Sequence, residues 1–155
     1  MKLDDYTRRF LGLPPADRRL FMQAELLFVL TWTGLRIVGF RRCQNLLSRL
    51  ATRHHTRGSV ADVSSSTLRT VSMVRAAARH TLGKPTCLSQ SLVCWTLLRR
   101  QGIESDLRIG TRRESGKFEA HAWVEYQGQV LNDRPDVRQR FAAFDQPIES
   151  ARFLE

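Results

Sequence analysis

The stretch that decides the fold runs from Lys84 to Asp133 and reads KPTCLSQSLVCWTLLRRQGIESDLRIGTRRESGKFEAHAWVEYQGQVLND. Its first part predicts a helix from Cys87 to about Arg100, because Thr86 can serve as the N-cap and Gly102 stops the helical pattern. The remainder predicts strands. The stretch therefore indicates an α+β fold in which a cysteine-bearing helix packs on a small antiparallel sheet, with further helices contributed by the N-terminal residues.

The predicted sheet contains three short strands. Asp106–Gly110 and Phe118–Glu125 alternate in side-chain character, and residues 111–116 between them are predicted to form a polar turn. Gln129–Asp133 then returns beside the second strand. Strands joined by such short connections pair in antiparallel fashion.

Length and composition indicate a single domain over residues 1–155, with 42% hydrophobic and 26% charged residues. We divide it into an N-terminal helical part, residues 1–57, and a core part, residues 67–144. The first residues are polar and charged, which argues against a signal peptide. Three cysteines at irregular spacing argue against a disulfide scaffold. We therefore expect a cytoplasmic protein.

The N-terminal part carries a long helical pattern over residues 16–50, and Gly34 or Gly39 is predicted to break it into two helices. The ten residues between Glu25 and Arg36 are uncharged and mostly apolar, and they cover half of a bilayer span. We expect a buried core helix here rather than a membrane span.

Residues 53–66 are typical of a polar linker, and the serines at its end are predicted N-caps for a helix from Thr67 to His80. His54 and His55 lie in this linker with no cysteine or carboxylate at ligand spacing. We predict that they are solvated loop residues and that the protein has no metal site.

The formal net charge is +10 and comes almost wholly from arginine. Such a surplus favours acidic partners, which include nucleic acids, anionic membranes and acidic proteins or peptides. The arginines are scattered rather than interleaved with aromatic residues, so we expect no nucleic acid partner. Exposed helix faces could equally carry this charge without any partner.

Cys87 is the candidate nucleophile because of its predicted position at a helix N-terminus. Unpaired backbone N–H groups and the positive end of the helix dipole stabilise a thiolate there. The same amides can donate hydrogen bonds to an oxyanion. Cys43 and Cys94 are expected to be small buried hydrophobic residues instead.

A nucleophilic cysteine needs a base and a group that orients the base, and His121 and Asp133 are the candidates. Whether the side chains of His121 and Asp133 can contact each other depends on the turn between their two strands. A two-residue loop would pair Ala122 with Asp133 and put the carboxylate on the wrong face. A three-residue loop at Tyr126–Gly128, with a glycine bulge, would set His121 directly opposite Asp133. We predict the three-residue loop and keep Asp136 as a reserve acid.

Four segments in this order carry a family resemblance: PTCLSQSLVCWTLLRRQGI, LRIGTR, FEAHAWVEYQG and VLND. They resemble the lasso peptide biosynthesis B2 proteins, which are similar to the C-terminal domain of the microcin-processing B protein in the transglutaminase-like, papain-like cysteine protease superfamily. The resemblance covers residues 68–144 closely. It implies that Cys87 is the nucleophile, His121 the general base and then acid, and Asp133 the orienting acid, with no cofactor.

The resemblance also implies an activity and partners. Its members remove the leader peptide from a ribosomally made precursor, and an ATP-dependent lasso cyclase then closes the macrolactam of the core peptide. Many relatives carry a leader-recognition domain ahead of the protease. This chain is too short for one, so the resemblance implies a split form that works with a separate leader-recognition (B1-type) protein.

One position departs from the papain pattern, in which a glutamine six residues before the cysteine supports the oxyanion hole. Thr81 stands there, so the expected donors are the Cys87 backbone N–H and a second group, for which Lys84 and Thr86 are candidates. Two other functions stay open. One is acyl transfer of the transglutaminase or amidase type on the same three residues, and the other is a non-catalytic basic scaffold that binds the precursor.

Overall fold

The computed structural model describes residues 10–51, 60–81, 83–114 and 116–144, and the predicted loop residues His54 and His55 lie outside these ranges. The N-terminal part consists of three long helices: α1 (Pro15–Ile37), α2 (Gly39–Ala51) and α3 (Val60–His80). At the end of α1 the Val38 N–H donates to the Gly34 carbonyl at 3.0 Å, and Gly39 adopts a φ of 78°. Because glycine accepts this left-handed conformation without strain, the predicted break falls at Gly39, and Gly34 stays inside the helix.

α1 has two faces of different character. Its inner face is buried in the protein core through Phe21, Ala24, Leu27 and Phe28. Its outer face exposes large apolar side chains, namely Met22, Leu26, Val29, Trp32 and Ile37. By length and composition alone the helix could cross a membrane, although a core helix of a soluble protein passes the same test. The expectation of a buried core helix is therefore right for the inner face, whereas the outer face remains exposed.

α3 corrects the prediction of a linker up to residue 66. The helix begins at Val60, so the serines before Thr67 lie within it and are not N-caps. Ser66 Oγ donates to Gln101 Oε1 at 2.5 Å, and Gln101 Nε2 donates to Thr70 Oγ1 at 2.9 Å. Serine has a weak helix propensity, which favoured the linker interpretation, but these tertiary hydrogen bonds give the polar face of α3 a partner.

The cysteine-bearing helix, α4 (Cys87–Arg100), begins and ends as the sequence predicts. Thr86 is its N-cap and accepts a hydrogen bond from the Ser89 N–H at 3.2 Å. All residues from Ser91 to Leu98 are buried, because α4 contacts α1, α2 and α3 as well as the sheet. A helix enclosed on all sides in this way is the centre of the core, and each fully buried leucine in it stabilises the fold by about 1.5–3 kcal/mol.

The sheet is antiparallel with the strand order β3-β2-β1-β4. Its elements are β1 (Asp106–Glu114), β2 (Lys117–Tyr126), β3 (Gln129–Val130) and β4 (Ala142–Ala143), and the short helix α5 (Val137–Arg140) precedes β4. The predicted polar turn at 111–116 is wrong for residues 111–114, which continue β1 as far as the pairing of Glu114 with Lys117. Arg112 of this extension pairs with Glu119 at 2.7 Å across the two strands, so charged side chains form a cross-strand pair where polarity suggested a turn.

The turn between β2 and β3 also differs from the prediction. Tyr126 pairs with Gln129, which makes it a two-residue loop, and both Gln127 and Gly128 have positive φ, 47° and 80°. Two positive φ angles are the mark of a type I′ turn, whose twist matches that of the flanking strands better than the predicted bulge does. The prediction that the register places Asp133 opposite His121 is therefore wrong.

Candidate active site

Cys87 is the first residue of α4 and is half-buried, whereas Cys43 and Cys94 are buried. Burial raises the pKa of the Cys43 thiol, and it raises the pKa of the Cys94 thiol to about 12. Both of these thiols therefore stay protonated at neutral pH. Among the three cysteines, only Cys87 combines access to solvent with the amides of a helix N-terminus.

Ser91 connects the cysteine-bearing helix to the sheet. Its Oγ donates to the Ala122 carbonyl at 2.9 Å and accepts from Asn132 Nδ2 at 2.9 Å. Cys87 precedes Ser91 by one helical turn and lies on the same face, where side chains four residues apart have Cβ atoms about 5–6 Å from each other. Ser91 thus ties α4 to β2 at the residue that follows His121.

His121 and Asp133 are in direct contact through Nε2 and Oδ2. An ionised carboxylate only accepts hydrogen bonds, so Nε2 carries the proton of the neutral imidazole and Nδ1 has the free lone pair. Nδ1 is therefore the nitrogen that could take a proton from a thiol. It forms no hydrogen bond to Cys87 among the described residues, and catalytic hydrogen bonds often form only in the complex with substrate.

Asp133 reaches His121 although the register is not the predicted one. The ladder of β3 stops at Val130, and the chain bends over residues 131–133. Within this bend the Val124 N–H donates to Asn132 Oδ1 at 2.7 Å, and Asn132 also bonds Ser91. Because the Asn132 side chain replaces a backbone carbonyl of the ladder, the bend frees Asp133 from strict face alternation.

The electrostatics around Asp133 favour the ionised form. Burial by itself raises the pKa of this carboxyl, but the hydrogen bonds from His121 and from the Arg134 N–H, at 2.6 Å, lower it, as do the charges of His121 and Arg140. The net result is a pKa below the usual range. Asp133 is therefore an anion at neutral pH and can hold the imidazole in one tautomer and stabilise an imidazolium.

The imidazole ring of His121 is flanked by two aromatic rings. Phe141 stacks on it with centroids 4.9 Å apart, and Trp123 lies beside it at 6.3 Å. The Trp123 Nε1–H donates to Glu125 Oε1 at 2.7 Å. Gly110 lies against the indole, since a Cβ at that position would come within 2.8 Å of it. The aromatic rings and Asp133 together fix the ring plane of His121.

Glu125 is a buried second acid that the sequence interpretation missed. It is 2% exposed and accepts from Arg138 at 2.7 and 2.5 Å and from Arg108 at 3.2 Å. Burial raises its pKa, but the hydrogen bonds from Arg138 and Trp123 and the two arginine charges lower it below the usual range. The sequence contained an indication of this acid, because strand alternation places Glu125 on the same face of β2 as His121 and Trp123. An acid next to a core tryptophan needs cationic partners.

None of the other predicted site residues forms a hydrogen bond or ion pair with His121 or Asp133 in the described part of the chain. Asp136 is half exposed and pairs with Arg140 at 3.3 Å, so it does not act as the reserve acid in this arrangement. The Thr81 hydroxyl donates to Glu25 Oε2 at 2.9 Å. Lys84 is exposed. Thr86 uses its hydroxyl oxygen to cap α4, and no group of three metal-ligating side chains occurs in the described ranges.

The arrangement can therefore support acyl transfer. It provides a thiol at a helix N-terminus, an imidazole with one free nitrogen, and a carboxylate that fixes the other nitrogen. Within the described residues, the amides at the start of α4 that precede Ser89 have no partner and are the available donors for an oxyanion.

Comparison with known proteins identifies the family of the chain. Residues 32–144 match the sequence profile of the transglutaminase-like superfamily. The chain is also similar to the microcin J25-processing protein McjB of Escherichia coli, with 37% identity over 59 residues, which are 38% of this chain. The match spans only 27% of the length of that relative. No solved structure matches the chain significantly. Because the profile covers most of the chain, including every residue of the candidate site, the chain belongs to the transglutaminase-like superfamily.

Proposed function

We propose that this protein is a cysteine peptidase that removes the leader peptide from a ribosomally made lasso peptide precursor. The observation that carries the proposal is the contact between His121 and Asp133 beside a helix that begins with Cys87. Similarity to a protein named for microcin processing supports the choice of substrate class. The superfamily match supports a cysteine-based reaction.

In the proposed reaction Nδ1 of His121 removes the thiol proton of Cys87, and the thiolate attacks the scissile carbonyl carbon. The developing oxyanion accepts from the Cys87 backbone N–H. His121 then gives its proton to the leaving amine, which departs as the new N-terminus of the core peptide. The leader stays attached as a thioester until water, deprotonated by His121, attacks it and restores the thiol.

The proposal includes two protein partners. A separate leader-recognition protein of the B1 type would deliver the precursor, and an ATP-dependent lasso cyclase would use the released amine. The net charge of +10 supports docking on an acidic surface of one of them. If arginines mediate this contact, the affinity for the leader-recognition protein should fall clearly as salt is added.

Mass spectrometry of the precursor after incubation with the purified protein and the leader-recognition protein tests the activity. The expected products are the free leader and the free core peptide. Cys87→Ala should abolish cleavage and retain precursor binding. Unchanged processing by Cys87→Ala would leave the non-catalytic scaffold as the better explanation.

Two acids in one short segment give a matched pair of variants. Asp133→Asn should lower the cleavage rate by about 10³–10⁴-fold, because an amide can stabilise the wrong imidazole tautomer. Asp136→Asn should stay within about threefold of the wild-type rate, since the one ion pair of Asp136 in the described part of the chain is with Arg140 at the surface. Equal losses in the two variants would contradict the role of Asp133.

The superfamily match also favours one alternative, acyl transfer to an amine in place of water. The same mass spectra distinguish the two reactions. An amine adduct of the precursor without backbone cleavage would identify a transferase, whereas cleaved products identify a peptidase.

A further inference from the structure

The backbone of β2 presents its hydrogen-bonding groups alternately to its two sides. In an antiparallel pair, every second residue directs both its N–H and its C=O toward the same neighbour. The Val124 carbonyl accepts from the Leu131 N–H at 2.9 Å, and the Val124 N–H bonds Asn132, so Val124 faces the β3 side. By alternation the even-numbered residues of β2, from Phe118 to Tyr126, face that side, and the odd-numbered residues face β1.

Toward the start of β2, the backbone groups on this side no longer have hydrogen-bond partners among the described residues. Tyr126 pairs with Gln129 of β3, and the Ala122 carbonyl accepts from Ser91. Beyond that point β3 has ended, and the outward N–H and C=O groups of Ala120 and Phe118 have no partner among the described residues. We call these groups the free edge of β2. Both residues are exposed, and Phe118 is 71% exposed.

The free edge leads directly to the candidate active site. Ala120 precedes His121 in the chain, and Ala122 on its other side is tied to Ser91, one turn from Cys87. A chain paired with Ala120 would therefore lie next to the residue before His121 and end where Ser91 of α4 occupies the edge of β2. Unpaired strand edges are sites at which an extended peptide can add as a further strand.

We propose that the free edge of β2 binds the precursor peptide next to its scissile bond as an added strand, through the backbone groups of Ala120 and Phe118. This inference rests on the proposed function and specifies how the same site holds its substrate. Recognition would be mainly through the peptide backbone, while the exposed Phe118 ring would favour an apolar side chain in the peptide. The charged neighbours Lys117 and Glu119 protect the edge from pairing with other sheets.

A backbone N-methyl scan of the substrate tests this directly. The probe is a synthetic precursor peptide that the cleavage assay has shown to be a substrate, methylated at one amide nitrogen at a time around the scissile bond. If the peptide adds as a strand, methylation at alternate positions should lower kcat/KM by about three- to tenfold, the effect of one lost hydrogen bond. The positions between them should change it by less than about twofold, because those amides point away from β2.

The protein side offers an independent measurement. Ala120→Pro removes an outward N–H and leaves the hydrogen bonds between β1 and β2 in place, because proline is tolerated where an edge strand faces solvent. We expect kcat/KM for the peptide to fall by about threefold or more. Alkylation of Cys87 by iodoacetamide, which needs no strand pairing, reports whether the variant has kept an intact thiol site.

The possible results separate the two proposals. Cleavage that depends on Cys87 but shows a flat methylation profile would overturn the strand-addition site and leave the peptidase activity standing. Absence of cleavage of every precursor peptide would overturn the proposed function and this inference with it. An alternating profile together with a loss in Ala120→Pro, at unchanged alkylation, supports strand addition.

Discussion

Replacing Glu125 by glutamine should destabilise the protein strongly, although the side chain keeps its shape. The carboxylate is 3% exposed and is the shared acceptor for Trp123, Arg138 and Arg108. A glutamine keeps one acceptor oxygen, and it turns an N–H₂ group toward the two guanidinium groups. Several charge-assisted hydrogen bonds are therefore lost, and the N–H₂ group of the glutamine faces the N–H donors of the two arginines.

The expected loss of stability depends on how exposed the two arginine partners of Glu125 are. Removing one member of a buried ion pair costs about 3–5 kcal/mol when the remaining charge stays buried. The Arg138 side chain is 48% exposed and Arg108 is 22% exposed, so water can solvate most of the charge that the change leaves unpaired. We expect Glu125→Gln to lower the free energy of unfolding by about 2–3 kcal/mol. For a chain of this size that corresponds to a fall in Tm of roughly 4–12 °C.

Urea denaturation of wild type and variant measures this difference, and Glu119→Gln is the matched control. Glu119 lies on the same strand and also pairs with an arginine, but its side chain is 48% exposed, so its loss should cost at most about 1 kcal/mol. Equal effects of the two substitutions, or an effect of Glu125→Gln below about 0.5 kcal/mol, would refute the reasoning from burial.

The pH dependence of the stability provides a second test of the contribution of Glu125. The pKa of Glu125 is lower in the folded protein than in the unfolded chain, where it is about 4.3. Its stabilising contribution is therefore complete above that unfolded value and is lost as the pH falls through the lower folded value. The stability difference between wild type and Glu125→Gln should be constant near neutral pH and shrink below about pH 4.

Three further outcomes are expected. Iodoacetamide should modify the native protein at Cys87 alone by peptide mass mapping, since burial raises the pKa of the other two thiols, and a second adduct before unfolding would contradict this. Asn132→Ala should cost about 1–3 kcal/mol in urea denaturation, because the Val124 N–H loses its acceptor, and a neutral result would show that water replaces the amide. Gly110→Ala should lower the free energy of unfolding by about 1–3 kcal/mol, because the new methyl group would meet the Trp123 indole at 2.8 Å. The same substitution should shift the near-ultraviolet circular dichroism of Trp123. An unchanged spectrum with unchanged stability would argue against that close contact.

Much of the fold was predictable because its signals are local. Thr86 and Gly102 bound α4 within a single run of the chain, so the position of Cys87 at its N-terminus could be predicted from capping preferences. Strand alternation likewise placed His121 and Trp123 on one face of β2. The start of α3 was not predictable in this way, because the partner of its serines, Gln101, lies far away in the chain.

The candidate site shows where local signals end. The sequence by itself determined which residue types stand at Cys87, His121 and Asp133, and it placed the first two correctly on a helix N-terminus and a strand. Only the tertiary structure decided how Asp133 reaches His121: not through strand register, but through a bend held by Asn132. The physical reason is that the loop residues are compatible with more than one turn. Hydrogen bonds to groups distant in sequence, above all Ser91 of α4, select among them.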